Sequence, residues 1–308
     1  MNRQSKPKRD LLTVWNLTGS EIDSLINRAI ELKKNKYDAS NMPLKGKSLA
    51  LIFDKMSTRT RLSFEVGIYQ LGAQGIFIRP GDSHLGNSES VSDTAKVLSR
   101  YFDGVIMRTY AHERIEEFAK YADIPVINAL TDKHHPCQVI ADMMTIKEKK
   151  GALQNLRLTY IGDGNNIANS LIEVCAIMGI NLTLATPEGY EPAYDILDRV
   201  RQNTLNNIII LNNPQEAASR ADILYTDVWI SMGDKVDNEH KKERFKNYQL
   251  NDRLLSLAKP DCLVMHCLPA HRGEEITDSV MDSPNSAVFD QAENRLHIQK
   301  AILEMIIT

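Results

Sequence analysis

The sequence predicts an α/β protein made of two consecutive α/β domains, each with a mostly parallel central sheet flanked by helices. Three observations carry this. The chain has 308 residues, about twice a typical domain at roughly 150 residues each. Short apolar runs alternate with stretches of helical period, which is the pattern of βαβ units and a parallel sheet. That alternation occurs twice, with a helix-period stretch at residues 136–150 between the two series.

In the first series, KSLALIFD (47–54) is a short apolar run suited to a buried strand. RLSFEVGIYQLG follows with a helical pattern, and Gly72 is a plausible stop. IFI (76–78), GVIMR (104–108) and PVINAL (125–130) read as further strands. Between the second and third, Val91, Ala95, Leu98 and Phe102 recur at i, i+4, i+7 and i+11, the stripe of a helix. In the linking stretch, Val139, Met143 and Ile146 stand at i, i+4 and i+7, so it reads as a helix.

The second series contains LRLTYIG (156–162), NLTLATP (181–187), NIIILN (207–212), DILYTDVW (222–229), CLVMHCLP (262–269) and SAVFD (286–290) as strands. NNIANSLIEVCAIMG and PAYDILDRVRQN read as helices between them, and a last helix runs from about Gln291. The expected organisation is a first domain over 1–135, a linking helix over 136–150, a second domain over 151–290 and a C-terminal helix over 291–308. Residues 231–249 are polar, charged and strandless, the composition of a lid or binding loop.

Composition narrows the function. With 37 basic and 40 acidic residues the net charge is −3, and neither half carries a dominant basic block, which argues against nucleic-acid binding by phosphate neutralisation. No apolar run approaches the roughly 20 residues that span a bilayer, so no membrane association is expected. Cys137, Cys175, Cys262 and Cys267 form no CxxC pair, which fits reduced thiols and a cytoplasmic location. The basic N-terminus has no apolar stretch and reads as a solvated tail.

Six segments can carry chemistry. Asp54-Lys55-Met56-Ser57-Thr58-Arg59-Thr60-Arg61 lies between a strand and a helix, where hydroxyls, unpaired amides and arginines suit an anion. Taken alone it reads equally as an N-cap at Ser57 and a solvated basic turn. It is not a P-loop, since GxxxxGK[ST] is absent. His134-His135-Pro136-Cys137-Gln138 follows a strand, where ligands of open α/β sheets bind; His135 also fits a structural histidine. Gly162-Asp163-Gly164-Asn165-Asn166 is half of a dinucleotide fingerprint, with Ile167 where the third glycine belongs, and its asparagines offer amides to a polar ligand. Asp227-Val228-Trp229-Ile230-Ser231-Met232-Gly233 ends a strand with an acid that suits an ammonium group or a surface ion pair. His266-Cys267-Leu268-Pro269-Ala270-His271-Arg272-Gly273 has neither zinc-finger nor HExxH spacing, so no metal is expected. Glu293-Asn294-Arg295 opens the last helix and by itself reads as a solvated face.

Together STRTR, HPCQ, DGNN, DVWISMG, HCLPAHRGEE and FDQAENRLH are similar, in kind and order, to the motifs of ornithine carbamoyltransferases, over nearly the whole chain from about Leu11. The resemblance implies a carbamoyl-phosphate-binding domain, an ornithine-binding domain and a C-terminal helix returning to the first. It also implies a homotrimer or multiple of trimers with sites at subunit interfaces, and no cofactor. Carried over by motif, Ser57, Thr58, Arg59 and Thr60 cradle the phosphate. Arg108 contacts phosphate and carbonyl, His135 and Gln138 hold the carbamoyl group, and Cys267, Leu268 and Arg295 complete the pocket. Asn166, Asp227, Ser231 and Met232 bind L-ornithine, and Arg108, His135, Cys267 and Asp227 are the catalytic set. His84 stands where relatives typically have a glutamine that reaches the phosphate from a neighbouring subunit. The implied reaction gives L-citrulline and phosphate within arginine metabolism, with the synthetic or degradative direction left open.

Overall fold

Leu49, Ala50, Leu51, Ile52 and Phe53 are all buried, because the strand they form lies inside a parallel sheet covered on both faces, and such strands are apolar on both sides. The computed structural model describes residues 8–35, 40, 42–79, 89–203, 207–230 and 238–308. Its elements in chain order are α1 (Gly19–Lys34), β1 (Ser48–Phe53), α2 (Thr58–Gln70), β2 (Gln74–Ile78), α3 (Val91–Tyr101), β3 (Gly104–Arg108), α4 (His112–Tyr121), β4 (Val126–Leu130) and α5 (Pro136–Lys150). They continue as β5 (Arg157–Ile161), α6 (Asn166–Met178), β6 (Asn181–Ala185), α7 (Tyr194–Asn203), β7 (Ile208–Leu211), α8 (Pro214–Ala218) and β8 (Ile223–Thr226). The last are α9 (Asn238–Phe245), α10 (Asp252–Leu257), β9 (Leu263–His266), α11 (Asp278–Met281) and α12 (Val288–Ile307).

The chain divides into one compact unit of Met1–Ala141 with Arg295–Thr308, and another of Asp142–Asn294. The division falls inside α5 and inside α12, so each of these helices belongs partly to either unit. Two α/β domains, each with a mostly parallel sheet, were expected, and two parallel sheets are present.

In the first unit the strand order is β2-β1-β3-β4, all parallel. The expected stripe on α3 faces inward: Ala95 is buried, and Val91, Leu98 and Phe102 pack against a cluster containing Ile52, Val105, Met107 and Phe118. α1 begins with a capping box in which Thr18 and Glu21 satisfy each other's backbone amides. Its Arg28 pairs with Glu304 at 2.7 Å, tying it to the C-terminal segment. Gly67 permits that segment to lie close on α2, since a Cβ there would sit 3.2 Å from Lys300 Cγ. Lys300 Nζ then donates to Gln70 Oε1 at 2.9 Å.

In the second unit the order is β7-β6-β5-β8-β9, again all parallel. Phe245, Trp229, Tyr248 and Leu250 pack with Ala218, Val264 and Val288 in its core. Tyr225 donates to Asp142 at 3.0 Å, and Gln291 Nε2 donates to the other oxygen of Asp142 at 2.8 Å, so this buried carboxylate is satisfied inside its own unit.

Two sequence expectations are corrected. Residues 286–290 are not a strand: Ser286 makes a single bridge to Val264, and the chain turns into α12 two residues later. Within the expected polar loop, residues 238–245 form α9 and Lys246–Tyr248 a 3-10 turn. α9 is held by the burial of Phe245 and by Lys241, which reaches Asp163 at 2.9 Å. The rest of that stretch, 231–237, lies outside the described residues, as do His84, Ser231 and Met232.

Candidate active site

In open parallel sheets ligands gather at the carboxyl ends of strands, where the order reverses. In the first unit that point lies between β1 and β3, and in the second between β5 and β8. The segments at 54–61, 162–166 and 227–233 follow β1, β5 and β8 at these places, while those at 134–138 and 266–273 follow the outer strands β4 and β9, and Arg295 lies within α12.

In the first unit Phe53 is in register with Arg108, so the turn after β1 begins beside the arginine that ends β3. The register of β3 against β4 shifts between Met107 and Arg108, an irregularity of the kind that re-aims a side chain. Ser57 is the N-cap of α2, and its Oγ accepts from the Thr60 amide at 3.3 Å. Thr60 Oγ1 accepts from Arg295 Nη2 at 2.6 Å and from Arg108 Nη1 at 3.4 Å. With both arginines donating, the threonine's own proton is directed outward and suits an anionic oxygen. Arg59 stands in the first turn of α2, with its Nε buried and without a hydrogen-bond partner among the described residues; Thr58, beside it, is exposed. Arg61 does something else: it pairs with Glu65 at 2.9 Å and lies 3.8 Å above the Phe77 ring. The two arginines of STRTR thus differ in their surroundings, Arg61 being engaged by Glu65 and Phe77.

His135 and Gln138 are buried at the start of α5, whose first amides at Gln138 and Val139 bond back to the His135 carbonyl. Burial pushes the His135 pKa well down, and the charges of Arg295 and then Arg108 push it further. The imidazole is accordingly neutral near pH 7 and offers one N–H. Cys137 turns inward to the Asn128 carbonyl, and burial raises its thiol to about 12, so it is inert. Arg295, whose sequence context alone suggested a solvated face, is buried. The arrangement gathers Arg108, Arg295, the Thr60 hydroxyl and a neutral histidine, a concentration of positive charge and hydrogen-bond donors that suits an anion.

In the second unit Ile161, Thr226 and His266 are aligned across β5, β8 and β9. The residues that follow, at Gly162, Asp227 and Cys267, therefore emerge side by side. The Cys267 thiol donates to Asp227 Oδ1 at 2.9 Å, and Asn165 Nδ2 donates to Oδ2 at 2.8 Å. Asn165 also caps α6, its Oδ1 accepting from the amides of Ile167 and Ala168. Its amide is thus committed twice, and Asn166 is the neighbour presented at the first position of α6, half-buried. Gly164 touches the backbone of Glu191 and Pro192, where a Cβ would lie 2.3 Å from a carbonyl carbon. Leu268 adopts φ +58 and donates its amide to His266 Nδ1 at 2.9 Å.

Asp227, His266 and Cys267 offer ligand atoms within 4.8 Å of one another. Both His266 nitrogens already have protein partners, Leu268 and Glu275, so this trio is built for hydrogen bonding. The partners of Asn165, Lys241, His266 and Glu275 were not legible in the sequence: Lys241 meets Asp163 across 78 positions and Asn165 meets Asp227 across 62, while Glu275 meets His266 nine residues away. The one local signal was the asparagine before α6, a preferred N-cap.

The comparisons with known proteins bear on both units. The carbamoyl-P binding domain of aspartate/ornithine carbamoyltransferases matches residues 9–148, and the Asp/Orn binding domain matches residues 154–306. The chain is 51% identical over 301 residues to an ornithine carbamoyltransferase of Syntrophus aciditrophicus, covering 97% of this chain and 100% of that one. It is 49% identical over 303 residues to that of Thermococcus kodakarensis, covering 97% and 96%. Among solved structures, ornithine carbamoyltransferase from Pyrococcus furiosus is similar with a TM-score of 0.93 at 47% identity, covering 97% of each chain. An anabolic ornithine carbamoyltransferase from Campylobacter jejuni has a TM-score of 0.91 at 37% identity, covering 97% and 98%.

Proposed function

Because this chain belongs to the aspartate/ornithine carbamoyltransferase family, we propose that it transfers the carbamoyl group of carbamoyl phosphate to the δ-amine of L-ornithine, giving L-citrulline and phosphate. The observation that carries the acceptor is the near-full-length similarity, at about half identity, to ornithine carbamoyltransferases.

The residues divide the work by unit. Ser57, Thr58, Arg59 and Thr60 receive the phosphate at the start of α2, where amides and helix dipole favour an anion. Arg108 spans phosphate and carbonyl, Arg295 adds charge, and His135 and Gln138 hold the carbamoyl group. Asp227 with Cys267 receives the δ-amine, while Asn166, Ser231 and Met232 receive the amino-acid end. Leu268 shares the turn of Cys267 and is assigned to the carbamoyl group. His84 is assigned to the phosphate.

Ornithine's amine resembles that of lysine, with a pKa near 10.4, so its neutral form at pH 7.4 costs about 4 kcal/mol. Desolvation lowers that cost, and the Asp227 carboxylate with the Cys267 thiol orients the nitrogen. The neutral amine attacks the carbamoyl carbon, and negative charge grows on its oxygen. Arg108, the neutral His135 and the Thr60 hydroxyl donate to that oxygen. The C–O bond to phosphate breaks, phosphate leaves as an anion held by the α2 turn, and its oxygen takes the amine proton.

The enzyme is read as cytoplasmic and as a homotrimer or a multiple of trimers. An exposed apolar stripe on α2, at Leu62, Val66 and Tyr69, supports burial against another copy. Of the two directions of arginine metabolism, synthesis fits the similarity to the Campylobacter jejuni enzyme, described as anabolic.

The test mixes carbamoyl phosphate with ornithine, putrescine, aspartate or N-acetylornithine and measures ureido product and phosphate. Product from ornithine alone is expected; product from putrescine but not ornithine refutes the acceptor. Arg59→Ala should raise the carbamoyl phosphate KM by about 10–100-fold, the worth of a charge-assisted hydrogen bond, and normal saturation would refute the phosphate assignment.

A further inference from the structure

We propose that His266, held by Glu275, is the positioning residue that sets the Cys267–Leu268 turn, and that it does so as a neutral imidazole carrying its proton on Nε2. The proposal deepens the reading above and rests on it, since Cys267 is there assigned to the acceptor amine.

His266 ends β9 and is fully buried, as is Glu275. The Leu268 amide lies 2.9 Å from Nδ1. An amide only donates, so Nδ1 has to be the bare, accepting nitrogen. The other ring nitrogen lies 3.0 Å from Glu275 Oε1, and a carboxylate only accepts, so Nε2 carries the proton. One tautomer satisfies both contacts. The alternative tautomer sets donor against donor at Leu268 and acceptor against acceptor at Glu275, and the imidazolium repeats the first conflict.

The turn needs such a hold. Leu268 has φ +58, a region that is unfavourable for a residue with a Cβ and that persists where surrounding contacts over-determine it. The bond to Nδ1 is one such contact. Glu275 supplies another at the far end of the segment, because the same Oε1 accepts from the His271 amide at 2.6 Å. Its Oε2 is buried without a hydrogen-bond partner among the described residues, so the carboxylate serves this segment alone. Cys267 lies between His266 and Leu268, the two residues joined by the Nδ1 contact, and its thiol meets Asp227 at 2.9 Å. Neither His266 nor Glu275 has a part in the chemistry proposed above. Their effect is on the direction of the thiol and of the Leu268 carbonyl.

Two substitutions separate the contacts. His266→Asn keeps an acceptor near the Nδ1 position and loses the donor to Glu275, whereas His266→Gln keeps a donor near Nε2 and loses the acceptor for Leu268. In the full-length protein, the Gln variant should lose about 10²-fold in kcat/KM for ornithine, as expected of a misplaced contact group, and the Asn variant should recover most of that loss. Melting temperatures should fall in both. Activity that tracks melting temperature, or a Gln variant as active as the Asn variant, overturns the proposal. Nitrogen-15 histidine NMR of the wild-type protein should show His266 with Nδ1 bare and Nε2 protonated. A proton on Nδ1 overturns the proposal even if both variants fail to fold. Wild-type protein that makes no citrulline would instead remove the acceptor reading, a separate failure.

Discussion

Arg295 lies 235 positions after Thr60 in the chain, yet its Nη2 donates to the Thr60 hydroxyl at 2.6 Å. The contact joins the first turn of α2 to the segment that re-enters the first unit, and it gives that hydroxyl its polarity. With Arg108 also donating, the oxygen is saturated as an acceptor and the proton is available to a substrate.

Removing that proton while keeping the side-chain shape tests its role. Thr60→Val should lower kcat by about 10²–10³-fold, the usual effect of losing one oxyanion donor, and Thr60→Ser should retain most activity. Steady-state citrulline formation checks both. Equal loss in the two variants would place the defect in packing and not in the hydroxyl.

Asp227 accepts from both Cys267 and Asn165, so it is held rigid before any amine arrives. Asp227→Asn should reduce kcat/KM for ornithine by about 10²–10³-fold, the effect of removing one member of a desolvated charge pair. Isothermal titration should show carbamoyl phosphate binding changed far less than ornithine binding, since the phosphate contacts are assigned to the first unit.

Histidine burial sets an acid limit on stability. The His112 pKa is pushed down to about 4 by burial, with the charges of His134 and Lys133 adding to it. The His135 pKa is lowered as well, first by its burial. In the unfolded chain a histidine takes a proton near pH 6.5. As pH falls from about 6.5 to about 4, the unfolded state binds a proton that folded His112 refuses, so this histidine's contribution to stability declines through that window, and His135 adds a decline in the same direction below 6.5. Urea midpoints measured across that range should show the decline, and His112→Gln should flatten it.

Gly164 has no room for a side chain, since a Cβ would lie 2.3 Å from the Glu191 carbonyl carbon and 2.4 Å from Pro192 N. Gly164→Ala should destabilise the protein by about 1–3 kcal/mol, as overpacking does, and should raise the ornithine KM by displacing Asn165. Urea unfolding and acceptor kinetics together check this.

Much of the fold was legible because parallel strands buried on both faces leave continuous apolar runs, as in β1, β3 and β5. The run at 286–290 has the same composition, but only Ser286 meets a strand, and single-chain periodicity does not reveal where pairing stops. α1 carries a T-x-x-E capping signal at Thr18 and Glu21 that marks its start. The site motifs were legible as strand-end segments. Sequence did not separate Arg59 from Arg61, since the distinction depends on Glu65 and Phe77. Nor did it show that Asn165 serves Asp227 while Asn166 opens the helix.

The membership of Arg295–Thr308 in the first unit has a consequence for synthesis. The ribosome makes the amino-terminal sheet first, but Ile307, against which Gly104 packs, and Glu304, which anchors Arg28, emerge only after the whole of the second unit. The second unit can therefore mature on the nascent chain while the first still waits for its closing segment. A nonsense codon just before Arg295 would release a polypeptide with its later-made half whole and its earlier-made half unfinished.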